Sequence, residues 1–394
     1  MNIINTQGYA MNYSLNPDRE DLTLLQTTIA KFCENEIAPH YEEWEENGIF
    51  PRDLWNKLGT AGLLCIDIPE KYGGHEADAE MALTIPCGIT YANFGSVAVG
   101  LSVHSDIVAH YILNKGTEDQ KLHYLPKMVA GELVGAIAMT EPGAGSDLQG
   151  IQTRAKKNKD GWVISGAKTF ITNGQHADFV ITAAKTNPDV KGSSGVSLFL
   201  VDTSTDGFSR GRNLEKLGLH SSDTSELFLD EVLVPHSAVL GEVDQGFITL
   251  MTELPRERLA LALNAVAAMD FMMGITKEYV SERKAFGQQI AEFQNTRFKM
   301  AKLQTQLKLN RAFMKECLKL FAEGKLDAAT ASMAKFSASE AQCHMADECL
   351  QLFGGYGYMK EYPIARAYAD ARIQKIYGGT SEIMLELVAR DLFS

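Results

Sequence analysis

The sequence lacks the patterns that define several other classes of protein. Its six cysteines include no CxxC pair, which argues against a disulfide or metal framework and favours buried thiols in a reducing compartment. Acidic residues outnumber basic ones by 50 to 37, giving a net charge of −13. That balance argues against a protein that coats nucleic acid or an anionic membrane, although a few local cations could still hold an anionic ligand.

Long apolar runs and targeting signals are also missing. The longest uncharged stretch, Met81–Val103, contains Pro86, Asn93 and five hydroxyl residues, which favours a buried helical region over an integral membrane segment. Residues 1–16 show neither a basic start followed by an apolar run nor an Arg-rich amphipathic pattern, so neither a signal peptide nor a transit peptide is expected. We therefore expect a cytoplasmic, bacterial protein.

Hydrophobic periodicity divides the 394-residue chain into three parts. Leu22, Leu25 and Ile29 recur at helical spacing, short β-branched segments begin after Gly135, and long helical patterns return at Phe247. Asp160-Gly161 predicts a hairpin, and the pattern from Ala328 to Phe353, followed by Gly354-Gly355, predicts one long helix. Alternating βαβ units are absent, which excludes a Rossmann fold. The prediction is an α+β protein, mostly α, with an N-terminal helical domain at 1–135, a middle β domain at 136–246 and a C-terminal helical bundle at 247–394.

Four stretches rich in glycine and hydroxyl residues are candidates for chemistry. In the first, glycines let backbone N–H groups approach an anion, and Thr140 and Ser146 add donors. The last opens a helix for which Thr380 is a plausible N-cap, and a helix N-terminus is a candidate phosphate site. Taken singly, each stretch also fits an ordinary loop, hairpin or helix cap. The four are AMTEPGAGSD (138–147), KTFITNG (168–174), QLFGGYG (351–357, followed by Arg366 and Asp370) and IYGGTSE (376–382).

In this order and spacing, the four stretches resemble the acyl-CoA dehydrogenases, from about Asp21 to the C-terminus. AMTEPGAGSDLQG and QLFGGYGYMKEYPIARAYAD are similar to the family's two characteristic signatures over their whole lengths, and Ser281–Gly287 (SERKAFG) with Gln294 adds a third region. LPRERL and IYGGTSEIM are similar to the long-chain branch of the family. The resemblance implies a barrel-like middle domain, a C-terminal four-helix bundle, FAD as cofactor and an acyl-CoA substrate. It also implies an electron-transfer flavoprotein as partner and a homotetramer built as a dimer of dimers.

The resemblance places FAD between the β domain and the C-terminal helices. Thr140 and Ser146 would hold the flavin edge and the pyrophosphate, and Phe170 would lie beside the ring where many relatives carry Trp. Arg283 and Gln294 would reach the FAD of a neighbouring subunit. The implied cofactor-binding residues are Ile137, Ala138, Met139, Thr140, Gly145, Ser146, Phe170, Ile171, Thr172, Arg283, Phe286, Gln294, Gln351, Gly354, Gly355, Thr380 and Glu382.

The position of the catalytic base distinguishes branches of this family. Many relatives place a Glu directly after the Tyr of the IY-x-GT turn, where this chain has Gly378. A branch that includes the long-chain and isovaleryl-CoA dehydrogenases takes the carboxylate from the helix that carries LPRERL. Counting back 25 residues from Arg283 reaches Arg258, and the residue before it is Glu257. Glu257 is therefore the implied base; a simple ion pair with its arginine neighbours, or a role for Glu253 instead, are the alternatives.

The implied reaction converts an acyl-CoA thioester to a trans-2-enoyl-CoA. The N–H of Gly378 and a ribityl hydroxyl of FAD would bond the thioester carbonyl, while Glu257 removes the α-proton and the β-hydrogen leaves as hydride. Burial is expected to raise the pKa of Glu257. A medium-chain, long-chain or branched substrate is expected, and the alternatives are an acyl-CoA oxidase or an inactive acyl-CoA- or flavin-binding protein. The implied substrate-binding residues are Ser146, Pro255, Arg256, Arg258 and Val103, the last near the end of the acyl tail.

Overall fold

The computed structural model describes residues 15–16, 18–187, 189–190 and 194–393. The expected absence of a targeting peptide concerns residues 1–16, nearly all of which lie outside the described residues. The N-terminal part is helical, as predicted. Its helices are α1 (Glu20–Phe32), α2 (Tyr41–Asn47), α3 (Asp53–Thr60), α4 (Ala79–Tyr91), α5 (Gly95–Ser102), α6 (Ala109–Lys115) and α7 (Glu118–Val129).

The uncharged stretch Met81–Val103 forms two helices, α4 and α5, where the sequence indicated one helical region. The chain breaks at Asn93, whose φ of 67° lies in the left-handed region that Asn tolerates better than most residues. A wide helical turn over Val103–Val108 then joins α5 to α6. Two helical stretches, Gly95–Lys115 and Gly246–Glu282, are long and apolar enough to cross a membrane, but 78% and 83% of their most apolar windows are buried inside the molecule. That burial is what core helices show.

The middle part is a mixed eight-stranded sheet in the described portion of the chain, with the order β6-β7-β3-β2-β4-β5-β8 and β1 parallel to β4. The predicted hairpin at Asp160-Gly161 joins β2 to β3, which pair antiparallel from Lys157 and Trp162. The strands are β1 (Gly135–Ala138), β2 (Arg154–Lys157), β3 (Trp162–Thr172), β4 (Phe179–Lys185), β5 (Val196–Asp202), β6 (Phe208–Asn213), β7 (Thr224–Val234) and β8 (Val239–Leu240).

The C-terminal part is a bundle in which α8, α9, α10 and α11 share an apolar core, and α12 packs on α10. The predicted helix at Ala328–Phe353 coincides with α10. The predicted fold class, helical domain then β domain then helical bundle, is confirmed. The elements are α8 (Gly246–Glu282), β9 (Lys284–Ala285), β10 (Gln288–Gln289), α9 (Gln294–Ala322), α10 (Ala328–Phe353), α11 (Pro363–Ala371) and α12 (Ser381–Leu392).

Helix α8 connects all three parts. It starts against the sheet, where a Cβ on Gly246 would meet the carbonyl oxygen of Val196 at 2.8 Å. It then passes α6, where Tyr111 bonds Glu257, and α4, where Thr90 bonds Asn264, and the rest lies inside the bundle. Arg366 and Asp370 of α11 make two further links: Arg366 pairs with Glu42, and Asp370 accepts a hydrogen bond from the Leu219 backbone at 2.6 Å. A side chain on the first half of α8 therefore lies where the three parts meet.

Candidate active site

Glu257 lies on the buried side of α8 and is only 5% exposed. The hydroxyl of Tyr111 on α6 donates a hydrogen bond of 2.9 Å to its Oε1 atom. Burial raises the pKa of Glu257 to about 7, while the Tyr111 bond and the charge of Arg258 oppose the rise. A carboxyl group with that pKa is ionised in about half of the molecules at neutral pH, which suits a general base.

The neighbours of Glu257 on α8 have other partners. Glu253, one turn earlier, accepts a hydrogen bond of 2.9 Å from the Asn114 side chain. Arg256 forms a buried ion pair with Asp67 at 2.7 Å and donates to the backbone oxygen of Asp106 at 3.1 Å. Pro255 lies within the helix. The guanidinium of Arg256 thus ties α8 to the N-terminal part, and Glu257 is not its ion-pair partner.

Gly378 lies in a turn that faces the same stretch of α8. Its φ is 60° and that of Gly379 is 98°, both in the left-handed region that glycine adopts without strain. A Cβ on Gly378 would approach Leu261 Cδ1 to 2.3 Å. Since Leu261 lies one helical turn beyond Glu257, the turn and the carboxylate are neighbours along α8. Leu261 fills the space that a side chain at position 378 would need.

A cavity with about 580 Å³ of atom-free space, part of it open to solvent, begins at this point. Leu261 and Phe271 of α8 both line it, so it follows about 15 Å of that helix. Val99 and Ser102 of α5 form the opposite wall, and Tyr377 lies beside the Gly378 turn. Val103 follows Ser102 and packs against the N-terminal core.

The glycine-rich loop after β1 is fastened to β3. Lys168 donates to Glu141 Oε1 at 2.9 Å and to the Met139 carbonyl at 3.1 Å, and the Thr169 N–H donates to the Thr140 carbonyl at 3.0 Å. These bonds bring residues 137–146 beside Phe170. Gly143 and Gly145 have open space where a Cβ would be, with no described atom within 4 Å. The loop therefore leaves its backbone accessible to a ligand.

Phe170 sits at an irregularity in the pairing of β3 with β7 and has a φ of 59°. Its ring is 67% exposed. An aromatic residue in the left-handed region is strained by about 1–3 kcal/mol, and such strain clusters at functional sites. Ile171 is buried below it, and Thr172 ends the strand. Phe170 thus presents a flat apolar surface next to the open loop.

The remaining predicted cofactor residues form two groups. Arg283 lies over the Tyr356 ring at 5.5 Å, which joins the end of α8 to the exposed Gly354 and Gly355 after α10. Phe286, in the β9–β10 turn, is 97% exposed. Gln294 and Gln351 lie at the start of α9 and the end of α10 in this same bundle-end cluster.

Thr380 and Glu382 belong to the other group, beside Gly378. Thr380 caps α12 by accepting a hydrogen bond from the Ile383 backbone at 3.4 Å. The adjoining Gly379 carbonyl accepts a hydrogen bond of 2.6 Å from Lys335, near the start of α10. Lys335 and Gln351 are 16 residues apart on that helix, which corresponds to about 24 Å. Within one chain, Thr380 and Glu382 thus lie beside the Gly378 turn, and Gln351 of the bundle-end cluster lies well away from it.

Two contributors to the site, Tyr111 and Lys335, were not predicted from the sequence. Tyr111 is 146 residues from its partner Glu257, and no local pattern marks that contact. Lys335 lies outside the four glycine-rich stretches, in the MAKF segment at 333–336. A lysine in an otherwise apolar helical face was the available signal, because lysine is almost never fully buried without a partner.

Three family models cover nearly the whole described chain. They are the acyl-CoA dehydrogenase N-terminal domain at residues 19–132, the middle domain at 136–232 and the C-terminal domain at 244–393. The long-chain specific acyl-CoA dehydrogenase of Sus scrofa mitochondria is 50% identical over 370 residues, which is 94% of this chain and 86% of that protein.

Solved structures agree with this match. An acyl-CoA dehydrogenase from Geobacillus kaustophilus superposes with a TM-score of 0.93 at 46% identity, covering 95% of this chain and 98% of that one. A glutaryl-CoA dehydrogenase from Mycobacterium smegmatis in complex with FADH2 gives 0.90 at 27% identity, covering 98% of each chain. In its sequence and its architecture, this chain belongs to the acyl-CoA dehydrogenase family.

Proposed function

We propose that this protein is an FAD-dependent acyl-CoA dehydrogenase that converts an acyl-CoA thioester to a trans-2-enoyl-CoA, with Glu257 as the base. The observation that carries the assignment is the buried carboxyl group of Glu257, whose pKa is about 7. It lies one helical turn from Leu261, the residue that faces the Gly378 turn. Glu253 is the weaker candidate, since it is held by Asn114 one turn further away.

The residues around the glycine-rich loop fit FAD. The open backbone at Gly143 and Gly145 and the hydroxyls of Thr140 and Ser146 suit a phosphate-bearing ligand, and the exposed ring of Phe170 suits a flat heterocycle. Ile137, Ala138, Met139, Ile171 and Thr172 would complete that surface. When bound, FAD supplies the acceptor for the β-hydride. The family and its FADH2-bound member support the same cofactor.

The chain's own residues then perform the acid–base part of the reaction. Glu257 accepts the α-proton on its carboxylate, which burial has made a stronger base than an exposed Glu. The N–H of Gly378 donates to the thioester carbonyl oxygen, where negative charge develops as the proton leaves. Tyr111 fixes the orientation of the carboxylate through its hydrogen bond. The buried setting excludes water from the reacting atoms.

The cavity along α8 would hold the acyl tail. It starts at Leu261 and Tyr377 beside the reacting atoms and extends about 15 Å, which supports a medium-chain or long-chain substrate. A branched chain remains part of the proposed substrate range. Ser146 and Arg258 are proposed to contact the thioester end. Arg256 acts indirectly in this scheme, by holding α8 and Pro255 against Asp67.

A site shared between subunits explains the separated cofactor groups. The bundle-end cluster of Arg283, Phe286, Gln294 and Gln351–Gly355 is separated from the Gly378 turn, since Gln351 lies about 24 Å along α10 from Lys335, which contacts Gly379. We propose that they reach the flavin of a neighbouring protomer in a homotetramer. The full exposure of Phe286 and the exposed Phe298, Leu309 and Phe393 of the bundle support such contacts.

An electron-transfer flavoprotein is the proposed partner that reoxidises the enzyme, because each turnover leaves two electrons on the cofactor. We propose a cytoplasmic location in a bacterium; relatives from Bacillus subtilis support a bacterial setting, and mitochondrial relatives exist as well.

Flavin absorbance tests the assignment directly. A saturated long-chain acyl-CoA added without oxygen should bleach the flavin of the wild-type protein. Glu257→Gln should bind FAD and substrate but lose reduction by several orders of magnitude. Glu253→Gln is the matched control, since it changes a second buried carboxylate on the same helix face and should reduce normally.

Other outcomes would redirect the assignment. Wild-type rates in Glu257→Gln would remove the proposed base, and no bleaching in any variant would indicate an inactive binding protein. Rapid reoxidation in air would indicate an oxidase.

A further inference from the structure

Arg258 and Lys335 are buried cations, and neither contacts a carboxylate in the described part of the chain. Arg258 is 4% exposed and Lys335 is 1% exposed. Their hydrogen bonds go to neutral groups, from Arg258 Nη1 to Ser332 Oγ at 3.2 Å and from Lys335 Nζ to the Gly379 carbonyl at 2.6 Å. The Arg258 Nε atom has no hydrogen-bond partner among the described residues.

Other buried cations of this chain are paired. Lys168 contacts Glu141 at 2.9 Å, and Arg256 contacts Asp67 at 2.7 Å. A buried charge without a paired counter-charge is costly, because the lost hydration is not replaced. The charge of Arg258 is balanced only in part by Glu257, which becomes neutral when it accepts a proton. The two cations around this turn therefore point to a negative charge that develops as the proton is transferred.

The two cations are close enough to influence each other. Burial, and after it the charge of Arg258, lower the pKa of Lys335 to about 8, against the opposing effects of Glu340, Cys343 and Glu382. Lys335 is still mostly protonated at neutral pH. Ser332 and Lys335 lie three residues apart on α10 and thus on one face of the helix, which holds both cations on the same side of the Gly378 turn.

We propose that Lys335 is a positioning residue for the reaction: it anchors the Gly378–Gly379 turn and, together with Arg258, holds positive charge behind the thioester carbonyl. The negative charge that develops on the carbonyl oxygen as Glu257 removes the α-proton is the counter-charge for this pair. This inference rests on the proposed dehydrogenase function. The two cations and the Gly378 N–H would then act together on the carbonyl oxygen. This role accounts for the burial of a lysine at position 335.

Binding of a 3-oxoacyl-CoA reports the effect of the two cations without turnover. Its α-proton is acidic enough to leave on binding, and the resulting enolate beside oxidised flavin absorbs at long wavelength. The pH at which this band appears reports how strongly the site stabilises the enolate. In Lys335→Gln that midpoint should rise by about one pH unit or more, which is tenfold weaker stabilisation. The kcat for a saturated acyl-CoA should fall about 10- to 100-fold with little change in KM.

Two further variants separate charge from structure. Lys335→Arg keeps the positive charge, so its kcat should stay within about threefold of wild type. A changed hydrogen bond to the Gly379 carbonyl should cost less than loss of the charge. Lys299→Gln removes a lysine of α9 that pairs with Glu348 of α10, and it should leave the midpoint unchanged. If Lys335→Gln does not fold, Ser332→Ala tests the pair from the Arg258 side and should shift the midpoint in the same direction.

The results distinguish this inference from the proposed function. An unchanged midpoint in both Lys335→Gln and Ser332→Ala overturns the role of the cation pair even if the wild type is an active dehydrogenase. A wild-type protein that neither forms the enolate band nor is bleached by a saturated acyl-CoA overturns the proposed function itself.

Discussion

The hydrogen bond from Tyr111 to Glu257 makes a specific prediction about pH dependence. Glu257 must be ionised to accept a proton, so kcat/KM should rise with pH through a midpoint near its pKa of about 7. Tyr111 donates to the carboxylate at 2.9 Å and so lowers that pKa from the value that burial alone would set. Tyr111→Phe removes the donor and keeps the ring.

The size of the effect follows from the strength of such a bond. A hydrogen bond to a charged group contributes about 1.5–3 kcal/mol, and 1.36 kcal/mol corresponds to one pKa unit. The midpoint should therefore move from about 7 to between about 8 and 9 in Tyr111→Phe. At pH 7 the ionised fraction falls from about one half to between one tenth and one hundredth, so kcat/KM should fall about 5- to 50-fold. Near pH 9.5 most of the loss should disappear, because the carboxyl group is then largely ionised in both proteins.

The assay is steady-state turnover with an artificial electron acceptor, measured from pH 6 to 9.5. Tyr124→Phe is the matched control, since Tyr124 is another buried tyrosine whose hydroxyl donates to a carboxylate, Asp202, at 3.3 Å. Its midpoint should equal that of wild type. A Tyr111→Phe profile that is lowered equally at every pH would refute the reasoning, because the tyrosine would then affect the site without stabilising the ionised base.

Two further predictions concern the base position and the shared site. Gly378→Glu in a Glu257→Gln background should stay inactive, because Leu261 occupies the space and the φ of 60° disfavours a side chain, whereas adding Leu261→Ala should restore measurable flavin reduction. If the triple variant is folded, holds FAD and is still inactive, position 378 cannot aim a carboxylate at the substrate. Co-expressed Glu257→Gln and Arg283→Glu chains should regain about a quarter of wild-type activity, since half of random pairs are mixed and each mixed pair has one intact site. Activity no greater than the sum of the separate variants would exclude sharing of Arg283 between protomers.

Much of the fold could be predicted from local patterns. Helix α10 matches its predicted bounds because Gly354 and Gly355 mark its end and the apolar period continues until Phe353. The β2–β3 hairpin was indicated by Asp160-Gly161. Strand β6 was not predicted, since its sequence FSRGRN has few β-branched or apolar residues and it pairs only because β7 offers a partner.

The site was predictable where the chain carries extended motifs and not where it depends on distant contacts. The spacing from Arg283 pointed to Glu257, and the structure places that residue in a buried environment with a raised pKa. Its hydrogen bond to Tyr111 and the bond from Lys335 to Gly379 join segments 146 and 44 residues apart. No periodicity links such pairs, because they arise from tertiary packing between segments that are distant in the chain.

The 37 residues of α8 carry Glu257 near one end, and Arg283 follows the other end directly. Those two residues are 26 positions apart, or about 39 Å along a rigid rod. In the proposed assembly that rod serves the chemistry of its own protomer at one end and a neighbour's flavin at the other. A substitution that breaks the middle of α8 in one protomer would thus damage two reaction centres, its own and that of its neighbour. In a cell that makes both altered and normal chains, the expected consequence is a loss of activity larger than the fraction of altered chains.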